Sequence, residues 1–181
     1  MRSQRTTLIR TIATVFLAAT GGCLPSFPSR PARTAEPLFD PATFFSGRTH
    51  GAGTVDVRWG AVRVFRVEGT GRRAPDGTFR LDQTITFADN TVEARTWRMR
   101  RVSAGRFTAT LSDAKGEVTA ESSGNLFHLR YLLRQPAMYM EQWLYLKPDG
   151  QSAENLAQVT VMGVPWARLT ETITRVDAAA Q

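Results

Sequence analysis

Hydrophobic and polar residues alternate with a period of two along much of this chain. Segments 84–87 (TITF) and 107–111 (FTATL) show the alternation clearly, and side chains two positions apart share one face of a β-strand. No stretch of about twelve residues carries the 3.6-residue periodicity of an amphipathic helix. Turn signals such as Asp76-Gly77 and Asp149-Gly150 recur about every ten residues. The pattern therefore predicts an all-β chain of short strands.

About ten strands are expected, which is enough to close a barrel. We place them near residues 50–58, 61–70, 78–87, 91–102, 105–113, 116–123, 126–134, 138–147, 154–162 and 165–175. Because tight turns join consecutive strands, neighbours in sequence should pair antiparallel. The sequence thus predicts an antiparallel up-and-down meander that forms a barrel of about 8–10 strands, with two stacked sheets as the alternative.

The N-terminal segment has the order of a lipoprotein signal peptide. Three arginines with no acid among them come first, namely Arg2, Arg5 and Arg10. The apolar segment 11–20 follows, and Gly21 and Gly22 precede Cys23, the only cysteine. This segment is too short to span a bilayer core of about 30 Å. We predict acylation of Cys23, with an ordinary cleaved signal or an uncleaved tail as alternatives. Leu24 after the cysteine, in place of Asp, indicates the periplasmic face of the outer membrane.

Composition along the chain divides it into four parts. Residues 1–22 form the predicted signal peptide, and 23–38 the acylated cysteine with a linker that contains Pro25, Pro28, Pro31 and Pro37. Such a linker is semi-extended and would hold the folded part away from the membrane. Residues 39–176 form the barrel domain and 177–181 a flexible tail. The first partner expected is therefore a membrane, reached through the lipid anchor.

The sequence offers little for catalysis or metal binding. The two histidines, His50 and His128, have no ligand spacing between them, and His128 alternates away from Phe127 and Leu129, which places it on the outer face of a strand. We therefore expect no metal, no cofactor, no catalytic residue and no enzyme activity. The net charge of +7 is spread along the chain, so no nucleic-acid partner is expected.

Aromatic residues in many strands either fill the core, which is the simpler interpretation, or line a cavity for an apolar ligand. The candidate ligand-binding side chains are Phe65, Phe87, Arg95, Trp97, Met99, Phe127, Tyr131, Trp143 and Tyr145. Arg95 and Trp97 share one strand face, so Arg95 either stacks on Trp97 or binds the anionic head of a fatty acid or lipid. A solid-cored module that docks on an envelope protein is the alternative. A lipid-modifying enzyme would instead show Arg95 near a carboxylate of perturbed pKa.

Short motifs in a fixed order resemble an uncharacterised family of proteobacterial lipoproteins of unknown function. These motifs are Phe45-x-Gly47, Arg63-x-Phe65, Leu81-Asp82-Gln83, Arg95-x-Trp97, Gly124-Asn125, Gln142-Trp143 and Asn155. The resemblance covers 39–176 and implies a lipocalin-like β-fold. Relatives tend to have Asp where Gln142 stands, so no role for an acid carries over to this position. The resemblance implies no catalytic residues.

Overall fold

The structure is a computed structural model that describes residues 29–176, and it forms a closed β-barrel. One short helix, α1 (Pro41–Phe44), precedes the barrel. The ten strands are β1 (Gly47–Val57), β2 (Arg63–Arg73), β3 (Phe79–Phe87), β4 (Val92–Ser103), β5 (Arg106–Leu111), β6 (Lys115–Ser123), β7 (Leu126–Arg134), β8 (Met138–Leu146), β9 (Ser152–Val161) and β10 (Val164–Val176).

Each strand pairs antiparallel with the strand before it, and β1 pairs with β10 to close the barrel. In the closing ladder Arg48 lies opposite Val176 and Val57 lies opposite Ala167. The predicted all-β up-and-down barrel is therefore confirmed, and the alternative of two stacked sheets is excluded. The strand positions agree with the alternation of the sequence because hairpin turns fix the register.

One end of the barrel, which we call the floor, is closed by aromatic side chains. The floor core consists of side chains that alternate inward from nearly every strand, together with Phe39, Phe44 and Phe45 from the segment before β1. Phe39 stacks on Phe127, with ring centroids 5.6 Å apart, and both are almost fully buried. The segment before β1 thus acts as a plug that completes the hydrophobic core.

Helix α1 forms because its first turn is capped. The carboxylate of Asp40 accepts hydrogen bonds from the backbone N–H groups of Ala42 and Thr43, which otherwise lack partners at a helix N-terminus. Pro41 stands at the first helical position, where a missing N–H costs nothing. The Ser122 hydroxyl donates to the carbonyl of Phe39. These bonds hold the plug against the β6–β7 side of the barrel.

The opposite end, which we call the mouth, carries the hairpins β1–β2, β3–β4, β5–β6, β7–β8 and β9–β10. Several inward-facing side chains near it are only half buried, among them Glu93, Arg95 and Met140. The floor is sealed by buried phenylalanines, so solvent reaches these side chains from the mouth. Within residues 29–176, no helix is long and apolar enough to cross a bilayer.

The described part of the predicted linker, residues 29–38, lies against the barrel; we call it the strap. The Thr34 backbone exchanges hydrogen bonds with Asn125 at the β6–β7 turn, 2.9 and 3.0 Å long. The Arg30 guanidinium lies 3.6 Å from the ring centroid of Trp143, on the outer face of β8. This part of the linker therefore does not extend away from the domain. The predicted signal peptide, Cys23 and the tail 177–181 lie outside the described residues.

Candidate functional site

The middle of the barrel interior contains polar side chains, which is unusual because the interior is apolar both toward the floor and toward the mouth. Arg95 on β4 and Gln83 on β3 lie opposite each other in the ladder. Arg95 Nε and Trp97 Nε1 both donate to the Oε1 atom of Gln83, each at 2.9 Å. The predicted pairing of Arg95 with Trp97 is thus indirect, through a shared amide acceptor.

A second chain of hydrogen bonds crosses the opposite wall. Gln142 Nε2 donates to the Tyr131 hydroxyl at 2.6 Å, and Asn155 Nδ2 donates to Gln142 Oε1 at 3.3 Å and to Glu171 Oε2 at 2.9 Å. Burial raises the pKa of Tyr131 to about 12. Burial also raises the pKa of Glu171, and the Asn155 amide and the positive charge of Arg95 oppose this only in part. We call these residues, with Arg95, Gln83 and Trp97, the polar layer.

Glycine on β1 makes room for the Glu171 carboxyl group. A Cβ atom built on Gly51 would lie 2.1 Å from Glu171 Oε1, a distance no pair of nonbonded heavy atoms tolerates. Gly53 is similarly close to the Thr170 carbonyl oxygen at 2.1 Å. Gly51 therefore lets a carboxyl group occupy the interior where a larger wall residue would exclude it, and Gly53 allows the backbone of β10 to approach closely.

Two carboxylates lie toward the mouth, near Arg95. Burial raises the pKa of Glu93 to about 7, although the charges of Arg63 and Arg95 act in the opposite direction. Glu93 Oε1 and Asp113 Oδ1 are inaccessible to solvent and have no hydrogen-bond partner among the described residues. Buried acceptors without partners are rare in folded proteins. A ligand group that donates hydrogen bonds would satisfy them.

Apolar side chains form the mouth-side wall beside Glu93, which pairs with Ile85 in the β3–β4 ladder. Phe65, Val67, Ile85 and Phe87 make a separate buried cluster on β2 and β3. The guanidinium of Arg63 lies 3.8 Å from the ring centroid of Phe87 and covers this cluster at the rim. The mouth half of the interior thus contains a cationic group, two acids and an apolar wall.

The structure brings seven of the nine predicted site residues to the barrel interior. Phe65 and Phe87 lie in the mouth-side wall, Arg95 in the polar layer, and Trp97, Met99, Phe127 and Tyr131 in the buried core. Their role in ligand binding stays a prediction.

Trp143 and Tyr145 lie on the outer face of β8, which corrects the expectation that they line the cavity. Register explains the difference: Trp143 lies opposite His128 and stacks on it with centroids 5.6 Å apart. The side chain of Leu144 between them points into the floor core instead. His128 is on the outer face, as expected, but it is half-buried and its Nε2 lies 2.8 Å from Glu141 Oε1.

Six polar residues of the site were not predicted: Gln83, Glu93, Asp113, Gln142, Asn155 and Glu171. Three of them left a signal in the pattern. Gln83 interrupts the alternating apolar positions of β3, Glu171 interrupts those of β10, and Glu93 shares a strand face with Arg95. A polar residue at an inward position of an alternating strand is the signal that could have identified them. Among residues 29–176 no group of three metal-ligating side chains occurs.

These features define a closed ten-strand barrel with a plugged floor, a polar layer and an accessible mouth. The chain belongs to DUF3833, a family of proteins of unknown function, whose profile matches residues 18–175. This agrees with the resemblance to an uncharacterised family with a lipocalin-like fold. No curated protein is significantly similar to the chain in sequence.

Two solved structures share the barrel. The S-type phycobiliprotein lyase CPES from Guillardia theta superposes with a TM-score of 0.59 at 8% identity, over 75% of this chain and 92% of the lyase. A protein of unknown function from the DUF3598 family of Nostoc punctiforme gives a TM-score of 0.56 at 14% identity. That match covers 78% of this chain and 51% of the Nostoc protein. At these identities the similarity shows the fold alone.

The lyase corrects the expectation that the chain is not an enzyme. That expectation rested on the absence of known catalytic motifs, whereas a protein named as a lyase has the same fold. The absence of a motif therefore does not separate binding proteins from enzymes in this fold, because function depends on the site rather than on the barrel.

Proposed function

We propose that this chain is a lipoprotein of the bacterial outer membrane, anchored at Cys23 on the periplasmic face, whose barrel binds a small amphiphilic molecule. The ligand is a fatty acid or lipid with a carboxylate or other anionic head. Arg95 binds the head, and the apolar cluster of Phe65, Val67, Ile85 and Phe87 contacts the chain. A proteobacterial source is part of the same proposal.

The observation that supports this proposal best is the bonding of Arg95. Its Nε atom is held by Gln83, whereas neither terminal nitrogen has a hydrogen bond or a salt bridge to any residue in the described part of the chain. Other arginines, such as Arg80 and Arg100, pair with acids on the outside of the barrel. A guanidinium in an interior needs an anionic or carbonyl partner. A ligand carboxylate between the two terminal nitrogens would supply it.

The proposed anchoring at Cys23 depends on the free energy of burying acyl chains in a bilayer. Each acyl methylene buried in a bilayer contributes about 0.8 kcal/mol, and two or more chains hold a protein stably. Cys23, the only cysteine, follows a segment typical of secretion signals. Mass spectrometry of the N-terminal peptide from the membrane fraction tests this step. An unmodified thiol on the exported protein would contradict it.

Ligand binding is tested by displacement of a fluorescent fatty acid. We expect Arg95→Gln to weaken the binding of a long-chain fatty acid at least about tenfold, because a charge-assisted pair contributes roughly 1.5–3 kcal/mol. The corresponding fatty alcohol should bind both proteins alike. Arg98→Gln, on the exposed outer face of the same strand, is the matched control. Equal fatty-acid affinity for all three proteins would refute the assignment of Arg95.

Catalysis on the bound molecule is the second candidate, and Glu93 favours it. A carboxyl with a pKa of about 7 beside Arg95 matches the arrangement expected of a lipid-modifying enzyme, since general bases work best with a pKa near the working pH. We expect Glu93→Gln to abolish any conversion of a bound acyl ester while its binding remains. Mass spectrometry of extracted lipid measures both. Equal conversion by both proteins would exclude Glu93 as the base.

A further inference from the structure

Three neighbouring hairpins expose apolar side chains at the mouth. Six of the eight exposed large hydrophobic residues of the described chain lie there, between 47% and 69% exposed. They are Trp59 and Val62 on the β1–β2 loop, Val64 and Val92 beside the β3–β4 turn, and Met162 and Val164 on the β9–β10 turn. Strands β9, β10, β1, β2, β3 and β4 follow one another around the barrel. We call this continuous set of residues the apolar rim.

Two residues of the apolar rim have a positive φ angle, which is unfavourable for residues other than glycine. Trp59 has φ of 59° and Met162 has φ of 51°, in the left-handed region that favours glycine. At the floor the corresponding turns use Gly77, Gly105 and Gly150. Met162 is 69% exposed, and Trp59 stays 47% exposed although it packs edge-on against Trp166 with ring centroids 5.4 Å apart. Exposed apolar side chains in strained turns point to a role outside the barrel.

Arginines flank the apolar rim. The Arg58 guanidinium lies 4.8 Å from the Trp59 ring centroid, and exposed Arg66 follows Val64 by two positions on the outer face of β2. The carboxylates nearby are Asp56 and Asp89, and Asp89 is already paired with Arg63 at 3.2 Å. Hairpin turns with exposed apolar side chains and neighbouring arginines are suited to the interface of a bilayer that contains anionic lipids. Tryptophan is favoured at this interface, and the lipid phosphates attract arginine.

The strap runs from the floor toward the mouth. Phe39 N–H bonds to the Gly124 carbonyl at the floor, and Arg30 has reached Trp143 partway up β8. From Trp143 to the mouth end of β8 at Met138 the distance is about 17 Å. Residues 23–29 can span about 20 Å in a polyproline-like conformation. The chain is therefore long enough to bring Cys23 level with the rim.

We propose that the apolar rim docks on the surface of an anionic bilayer, so that the mouth of the barrel faces the lipid. This orientation rests on the proposed anchor at Cys23 for its biological setting, but the rim would bind lipid without it. A ligand could then enter the interior from the bilayer without crossing water.

Site-specific labelling tests the orientation. In a Cys23→Ser background the chain has no other cysteine, so Met162→Cys and Leu38→Cys each carry one environment-sensitive fluorophore, at the mouth and at the floor respectively. Vesicles of phosphatidylethanolamine with a minor fraction of phosphatidylglycerol are added. We expect a blue shift and at least a twofold rise in emission at position 162 and no change at 38. An equal response at both positions, or a response at 38 alone, would overturn the proposal.

Cosedimentation with the same vesicles tests the energetic role of the rim in the Cys23→Ser background. Trp59→Ser with Met162→Gly should reduce the bound fraction at least about fivefold. The melting temperature should change little, because glycine relieves the strain at 162 while the loss of the Trp59–Trp166 contact acts in the opposite direction. Leu38→Ser with Val102→Ser, exposed at the floor, is the matched control. Equal binding by both double variants would refute docking through the rim.

Fatty-acid displacement in vesicle-free solution separates this proposal from ligand binding. The rim variant should keep the affinity of the unchanged protein, since neither residue belongs to the interior. Loss of ligand binding in the Arg95→Gln variant with normal vesicle binding would show that the two properties are independent. Normal ligand binding with no vesicle response at position 162 would contradict the rim proposal alone.

Discussion

The floor and the mouth of this barrel are made of the same kind of hairpin but expose different chemistry. The floor turns carry ion pairs such as Arg100–Asp76 at 3.3 Å and Arg106–Glu121 at 3.6 Å, and aspartates there accept backbone hydrogen bonds, as Asp149 does from Gln151 and Ser152. The mouth turns carry the apolar rim and strained non-glycine residues, and among them the β3–β4 turn also has the ion pair Arg63–Asp89. The floor is built for stability in water, whereas the mouth gives up stability at positions that face outward.

The largest effect is expected from the plug. Phe39 is 2% exposed and packs on three other phenylalanines, so Phe39→Ala should lower the free energy of unfolding by about 3–5 kcal/mol. Urea denaturation followed by tryptophan fluorescence measures it. Leu38→Ala, next in sequence but 66% exposed, should change the free energy by less than about 0.5 kcal/mol. Similar losses for both would contradict the assignment of the plug to the core.

The second largest loss of stability is expected in the polar layer, which lies between the floor and the mouth. Gly51→Ala should lower the free energy of unfolding by about 1–3 kcal/mol, because the new methyl group overlaps the Glu171 carboxyl. In a Glu171→Ala background the same substitution should cost much less. A double-mutant cycle by urea denaturation measures the coupling. Additive effects would show that Gly51 is not required by Glu171.

The pH dependence of stability should reveal the buried carboxyl. The folded pKa of Glu171 is raised by burial, so the unfolded chain releases this proton at a lower pH than the folded one. Stability therefore falls as pH rises from the unfolded pKa, near 4.3, toward the folded value, by at most about 1.4 kcal/mol per unit. Glu171→Gln should remove the share of this decline that comes from Glu171, as measured by melting temperatures between pH 4 and 8. The share from Glu93, whose pKa burial raises to about 7, should remain. An unchanged pH profile would argue against a raised pKa.

The smallest effect is expected at the mouth. Val92 is 60% exposed, so Val92→Ser should change the free energy of unfolding by less than about 0.5 kcal/mol, while it weakens vesicle binding. Val118→Ser, at a position only 1% exposed, provides the contrast and should be strongly destabilising. If Val92→Ser destabilised the barrel as much as Val118→Ser, the rim would belong to the core, and the difference between the ends would disappear.

Alternation predicted the ten strands because side chains two apart must share one face of a strand, and the turns then left an up-and-down order. It could not decide which face of β8 points inward. Trp143 and Tyr145 alternate as regularly as Gln142 and Leu144, and the apolar pair was assigned to the interior. In the structure Trp143 and Tyr145 point outward instead, and Arg30 of the strap packs on Trp143 from the outside of the barrel. A contact between residues so distant in sequence leaves no local signal.

The polar layer was hard to predict for a different reason. Arg95 and Trp97 were recognised as neighbours on one face, but their shared acceptor, Gln83, comes from another strand. Glu171 is accommodated by a glycine on a strand more than one hundred residues earlier in the chain. The first arrangement depends on the register of the β3–β4 hairpin, and the second on how the two ends of the chain meet at barrel closure. The pattern of a single strand contains neither.

The ladder between β1 and β10 has a consequence for how any protein could recognise this chain. Open sheets offer backbone N–H and C=O groups along a border strand, and many peptide-binding domains and fibrils recruit an extra strand there. Here every strand has a hydrogen-bonded neighbour on both sides. The folded barrel therefore has no free strand edge to which a partner peptide or a second copy of the chain could add a strand. Specificity toward another macromolecule must then come from side chains, on the outer wall or around the openings.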